Sequence, residues 1–282
     1  LDFLWYKIMK NVIVDTRKYF SFAWTKFARK EVERQWYKDS FSYLKFIPEE
    51  IFKDEEKLGL DLGCGSGSDM INIARYGARI VGIDISDAIK ATRENISGFG
   101  RLHVAQANIY NLPFRDETFD FAYSFGVLHH LPDPEKGFRI LCSKVKKDGY
   151  AIIYVYEDFS KRSVLERILL NTINFLRLIT PKIPPPLLYL LCIAMSPFVL
   201  LFCSAPYRIL KRIKWTKTLA EKIPFRHTTR LDCIVADLYD RFSPPIERRY
   251  SKDQVTAWFR SAGFEDVHIT NHRGWVAWGR KR

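Results

Sequence analysis

From residue 57 onward, short apolar runs alternate with amphipathic stretches. The apolar runs predict strands at Lys57–Leu62, Arg79–Asp84, Arg101–Gln106, Phe119–Ser124 and Tyr150–Tyr156, with helices over 68–76, 87–97 and 134–145 between them. Alternation of this kind points to an α/β fold, a parallel sheet covered on both faces. Ahead of it, residues 17–46 carry Tyr19, Phe20, Phe22, Trp24, Phe27, Trp36 and Tyr37 among charges at helical spacing. They predict one or two helices preceding the main domain, and Phe22, Trp24 and Phe27 are candidates for a lid, although such a stripe also suits a packed core.

The rhythm breaks near residue 160. Residues 161–180 predict an amphipathic helix, ended by Pro184, Pro185 and Pro186. Leu187 to Cys203 is then uncharged for seventeen residues, nearly the length of a membrane span (about 20 residues). Pro197, with Ser196 beside it, argues against a simple span and for a helical hairpin, packed on the core as a lid or lying in a membrane interface. A basic run follows at Arg208, Lys211, Arg212, Lys214 and Lys217. Regular structure resumes at Tyr250. Ser251 and Gln254 form a capping-box pattern for a helix ending at Gly263, and strands are expected at Phe264–Thr270 and Gly274–Gly279. The expected division is a cap over 1–47, a core over 48–157, an insertion over 158–249 and a completing segment over 250–282.

Composition sharpens the picture mainly through its distribution. A hydrophobic share of 47% supplies a core, and the net charge is +13. Residues 161–230 hold thirteen Lys or Arg against Glu166 and Glu221, which puts +11 on that window and only +2 on the rest. Nucleic acid, a membrane surface or an anionic substrate would each suit such a segment. Few base-reading polar side chains accompany it, so anionic lipid fits better than nucleic acid. The five cysteines show no paired spacing, which predicts free thiols in a reducing cytosol and no metal site. Leu1–Asp2–Phe3 runs quickly into charged, aromatic sequence, so no cleavable leader is expected; the expected location is cytoplasmic, either free or in peripheral contact with an anionic membrane.

The chemical signal is Leu60-Asp61-Leu62-Gly63-Cys64-Gly65-Ser66-Gly67 at a strand-to-helix turn. Glycines there let the backbone turn tightly and approach a ligand. A dinucleotide fingerprint would need glycine where Ser68 stands. Asp61, just before the glycines, would repel a pyrophosphate but attract an ammonium and a sulfonium, which favours S-adenosylmethionine over a nicotinamide cofactor. Asp84 ends the second strand and can accept from both ribose hydroxyls; Asn108 can accept from the adenine amino group while Ile109 packs on the ring. Asp84 as a helix cap and Asn108 as a turn residue are the plain alternatives.

With these residues in place, the chain resembles the class I S-adenosylmethionine-dependent methyltransferase family, in its large small-molecule branch. The glycine segment looks like its first motif. Asn111-Leu112-Pro113-Phe114, Phe119-Asp120, Val127-Leu128-His129-His130-Leu131-Pro132-Asp133 and Val145-Lys146-Lys147-Asp148-Gly149 match later motifs in order, and Trp258–Phe264 matches the terminal helix and strand. The resemblance implies a Rossmann-like seven-stranded sheet with one antiparallel strand. It implies a cofactor set of Asp61, Gly63, Cys64, Gly65, Asp84, Ile85, Asn108, Ile109 and Ser124, with Ser124 beside the methionine moiety. Asn108 replaces the family's more usual Asp. In related O-methyltransferases the first histidine of such a pair is the base, oriented by an acid at the end of the fifth strand. That makes His129 the candidate base, with a helix-capping or packing histidine as the plain alternative. The acid position holds Val155, and Glu157, two residues later, is the candidate substitute. The expected reaction is methyl transfer to a small-molecule or lipid-like acceptor, with O-methylation expected; a nucleic-acid acceptor and a non-catalytic membrane-associated module are the alternatives.

Overall fold

The computed structural model describes residues 16–27, 41–220, 223 and 230–282. Its sheet has seven strands in the order β3-β2-β1-β4-β5-β7-β6. These are β1 (Leu58–Leu62), β2 (Arg79–Asp84), β3 (Leu102–Gln106), β4 (Phe119–Phe125), β5 (Val145–Val155), β6 (Phe264–Asn271) and β7 (Trp275–Lys281). The first five run parallel, and β7 lies antiparallel between β5 and β6. The expected seven-stranded sheet with one antiparallel strand is therefore present. Strand β5 starts five residues earlier than the sequence suggested and stops at Val155, so Glu157 lies outside it, at an isolated bridge to Tyr250.

The sheet is covered on both faces because its strands are apolar on both. Leu60, Leu62, Ile83, Phe119 and Ile153 pack with Phe138, Leu141 and Phe259 on one face. Ile80, Phe121, Ile152 and Val276 pack with Ile51, Phe52, Met70 and Ile73 on the other. The covering helices, numbered after α1 (residues 16–27), are α2 (Ser68–Ala74), α3 (Ile89–Asn95), α4 (Pro134–Lys144) and, near the end of the chain, α9 (Lys252–Ser261). The capping box at Ser251 and Gln254 is formed as predicted. Trp36 and Tyr37 lie outside the described residues.

The insertion supplies α5 (Val164–Leu176), α6 (Pro185–Val199), α7 (Ala205–Arg212) and α8 (Leu231–Phe242). Two expectations are corrected here. The three prolines do not end the preceding helix, which stops at Leu176; Pro184 caps α6 and Pro185 and Pro186 open it. First-turn amides have no intrahelical acceptor, so proline loses nothing there. Nor does Pro197 break the chain into a hairpin. The helix runs from Pro185 to Arg212 through a wide turn at Leu200–Ser204. Proline removes one bond to the carbonyl four residues back, and the Ser196 hydroxyl donates to that carbonyl, Ile193 O, at 2.8 Å. Helices α1, α6 and α8 share an outer core of Tyr19, Ala23, Leu188, Cys192, Leu238 and Tyr239.

Candidate active site

The glycine loop leaves β1 and is strapped to its neighbours by backbone bonds. Gly63 and Cys64 both donate to Ile83 O, at 2.8 and 2.9 Å. Gly63 has φ +87°, and an added Cβ would stand 2.4 Å from Val127 Cγ2. Position 63 thus needs glycine for conformation and for space. From α3, Thr92 donates to Gly65 O and Asn95 to Ser66 O.

Asp84, at the end of β2, closes the loop from the other side. Its Oδ2 accepts from Gly65 N at 2.9 Å and its Oδ1 from Ser86 N at 2.7 Å. The carboxylate is thereby fixed beside the loop with lone pairs left over for a ligand. Ile85 follows it, half-buried, and Ser86 is fully buried.

Asp61 is 2% exposed, and its Oδ2 accepts no hydrogen bond from the described residues. Burial, reinforced by Asp69 and, more weakly, by Asp84, pushes its pKa well above the usual carboxylate range, against a hydrogen bond from the Tyr123 side chain that lowers it. A buried carboxylate with one oxygen short of a donor is costly, and an ammonium group donating to it would remove that cost. This orphaned acceptor beside a glycine loop fits the amino-acid end of S-adenosylmethionine.

The remaining expected residues fall around this centre in different roles. Ser124, on β4, is buried and donates to Leu62 O at 2.9 Å. The Cys64 side chain points inward against Gly82, and burial raises its thiol pKa, which leaves its backbone as the part able to face a ligand. Ile109 is buried in the core. Asn108 Oδ1 accepts from Tyr110 N at 3.0 Å, so this side chain builds its own turn and keeps one lone pair for a purine.

His129 and His130 sit on the tight turn Leu128–His130 after β4. Both ring nitrogens of His129 lack a hydrogen-bond partner among the described residues, and the residue is fully buried. Its ring stacks on Tyr156 at 4.0 Å and lies 4.2 Å from His130. Burial, with His130, Arg249 and Arg177, holds its pKa well below the usual range, so it is neutral at pH 7. His130 Nδ1 is 2.7 Å from Ile246 O. The expected pairing of Glu157 with His129 is absent. Glu157 accepts from Arg162 and Asn271 instead, because it lies past the end of β5 and faces those partners.

Sequence reading missed the group that walls off the histidines. Arg177 and Arg249 both pair with the buried Glu247, and Arg249 also lies 5.1 Å over the Tyr156 ring. Burial would raise the Glu247 pKa, but the hydrogen bond from Arg177 and the charge of Arg249 bring it to about 2. The acid followed by two cations at Glu247-Arg248-Arg249 was the local signal.

Helix α1 lies across this region. The Trp24 ring comes within 3.0 Å of where a Cβ on Gly65 would stand, and Phe20 is 5.4 Å from His130. Arg17 pairs with Asp87 at 2.5 Å, and Ser21 accepts from Asp87 N at 2.8 Å. Of the three lid candidates only Trp24 covers the loop. Phe22 and Phe27 pack on Tyr189 and Tyr239 in the outer core.

Comparison with known proteins agrees with this geometry. A family described as "Methyltransferase domain" matches residues 60–153. The chain is 31% identical over 112 residues to the sterol 4-C-methyltransferase strm-1 of Caenorhabditis elegans, covering 38% of this chain and 34% of that protein. It is 36% identical over 103 residues to the tRNA (carboxymethyluridine(34)-5-O)-methyltransferase of Saccharomyces cerevisiae, covering 35% of each. The chain thus spans about a third of the length of these curated relatives. In fold it is similar to a chain from the complex of the Haloferax volcanii Trm112 methyltransferase activator with a methyltransferase. That likeness has a TM-score of 0.53 at 14% identity, over 94% of this chain and 97% of the other.

Proposed function

We propose that the chain, whose residues 60–153 match a methyltransferase domain, is a class I S-adenosylmethionine-dependent enzyme that methylates a lipid-like small molecule at a hydroxyl oxygen. The observation that carries the cofactor half is the buried Asp61 carboxylate beside the glycine loop, whose Oδ2 has no hydrogen-bond partner among the described residues. When bound, the cofactor supplies a methyl group on a positively charged sulfur. Asp61 would hold its ammonium, the Gly63–Gly65 backbone its methionine part, Asp84 its ribose, and Asn108 with Ile109 its adenine. Ser124, tied to Leu62, keeps β4 closed against β1 below it.

His129 supports the acceptor half. It is neutral, its two ring nitrogens have no partner among the described residues, and it stands on the turn that follows β4. As base, it would take the hydroxyl proton as the acceptor oxygen bonds to the methyl carbon and the carbon–sulfur pair leaves with sulfur. Trp24 and the Arg177–Glu247–Arg249 group would exclude water. The apolar insertion favours a greasy acceptor, and we place the enzyme in the cytoplasm at a membrane surface. A nucleic-acid acceptor draws on the +11 segment and the tRNA-modifying relative. Yet that segment interleaves its cations with exposed Ile209, Ile213 and Trp215.

The test is incubation with radiolabelled S-adenosylmethionine and total cell extract, followed by separation of lipid, small-molecule, protein and nucleic-acid fractions. Label in the lipid fraction, lost in Asp61→Asn, is the expected result. Label in the nucleic-acid fraction alone would replace the acceptor assignment, and no transfer to any fraction would refute the reading.

A further inference from the structure

The insertion carries an apolar surface that the protein itself does not cover. Among the described residues, every exposed large hydrophobic side chain except Phe99 lies between Val164 and Leu231. Leaving one such side chain in water forgoes roughly 1.5–3 kcal/mol of burial. Contiguous surface of this kind marks a binding face. On α6 and the wide turn after it, Leu187, Leu190, Leu191, Met195, Phe198 and Phe202 are all at least 45% exposed. The opposite face, with Leu188, Cys192 and Val199, is buried in the outer core.

We infer that this face docks on an anionic lipid bilayer, with the Pro185–Arg212 helix lying in the plane of the interface. Three observations select that occupant. First, the apolar stretch runs directly into Arg208, Lys211, Arg212, Lys214 and Lys217, all exposed, and none pairs with an acid among the described residues. Anionic headgroups complement such a row, whereas a second copy of this chain would set it against an equally cationic segment. Second, Trp215 stands 86% exposed between Lys214 and Lys217. Tryptophan beside cations suits the headgroup level, where one part of the ring is dry and the other wet.

Third, the helix is held sideways. At 28 residues it is long and apolar enough to cross a membrane, reaching about 42 Å. Crossing would strip Leu188, Cys192 and Val199 from Ile234, Val235 and Tyr239 and expose that core. Lying flat keeps the inner face packed and gives the outer face to lipid.

The placement deepens the proposed function and depends on it only for its purpose. Helix α1 packs on the inner face of α6, and its Tyr19 donates to Ile183 O at 3.1 Å. The same helix lays Trp24 on the glycine loop and Phe20 by His130. Helix α1 thus touches both the docking helix and the cofactor loop.

The test is co-sedimentation of the full chain with vesicles of phosphatidylcholine alone or mixed with phosphatidylserine, at low and high salt, without cofactor. We expect binding to the mixed vesicles that weakens with salt. Binding should fall at least about tenfold when Lys211, Arg212 and Lys214 all become Glu. A second variant, Phe198→Ser with Phe202→Ser, should also bind less while keeping wild-type cofactor affinity. Equal binding to both vesicle types, or to neither, would overturn the inference. So would a stable dimer that the serine variant dissolves, or attachment that resists high salt and alkali as a span does. Docking without methyl transfer would refute the function proposed above and leave this one standing. Cofactor binding without docking would do the reverse.

Discussion

At the scale of single residues, Asp61 and His129 are among the buried side chains with a polar atom that finds no partner among the described residues. Asp61 keeps an unpaired carboxylate oxygen, and His129 keeps two unpaired ring nitrogens. Each is a local cost that a ligand would relieve. Asp61→Asn should therefore weaken S-adenosylmethionine binding by about 1.5–3 kcal/mol, the range for a hydrogen bond to a charged group. The free variant should melt no lower than wild type, since it removes a poorly accommodated charge. Titration calorimetry paired with thermal melts separates the two effects, and a lower melt with unchanged affinity would make Asp61 purely structural. His129→Ala should slow transfer to a hydroxyl by about 10²–10⁴-fold with little change in cofactor affinity. A loss under about threefold would return His129 to packing against Tyr156.

At the scale of elements, the strands were legible because both of their faces are apolar, and the glycine loop because its backbone demands are written in residue type. The histidine surroundings were not. Arg177 meets Glu247 seventy residues away, and nothing in either neighbourhood announces the other. Pro197 misled for a related reason: a proline reads as a break unless Ser196 is known to take up the freed carbonyl. The Arg177–Glu247 pair fastens the end of α5 to the strand-like segment that passes His129, where Arg248 N donates to His129 O at 2.9 Å. Arg177→Ala leaves a buried carboxylate with Arg249 as its remaining ion-pair partner. That should cost about 3 kcal/mol, at the low end for a broken buried pair, and denaturant unfolding would measure it. A cost under about 1 kcal/mol would show the pair to be dispensable.

At the scale of the whole molecule, titration pulls stability in two directions. Asp240, on α8, is raised to about 7 by burial and by the neighbouring charges of Asp237 and Glu247. A carboxyl raised on folding favours the native state while protonated, so its contribution is lost as pH climbs from about 4 towards 7. Glu247 has the opposite sign: its contribution is present above about 4.5 and lost as pH falls towards 2. Melting curves of Asp240→Asn should therefore decline less than wild type between pH 4 and 7, and parallel curves would refute the assignment. The sheet order carries a further consequence, in time. Strand β5 pairs with β7, Val155 against Trp275, across the whole insertion. A chain emerging from the ribosome at roughly 5–20 residues per second leaves that edge bare for on the order of ten seconds, while the greasiest part of the sequence is being made. An unpaired edge beside fresh apolar helix is what chaperones bind and what nascent chains aggregate through. The same helices that would greet a bilayer in the finished protein are thus a hazard to the newborn one, and early capture by lipid would shield them before the sheet is complete.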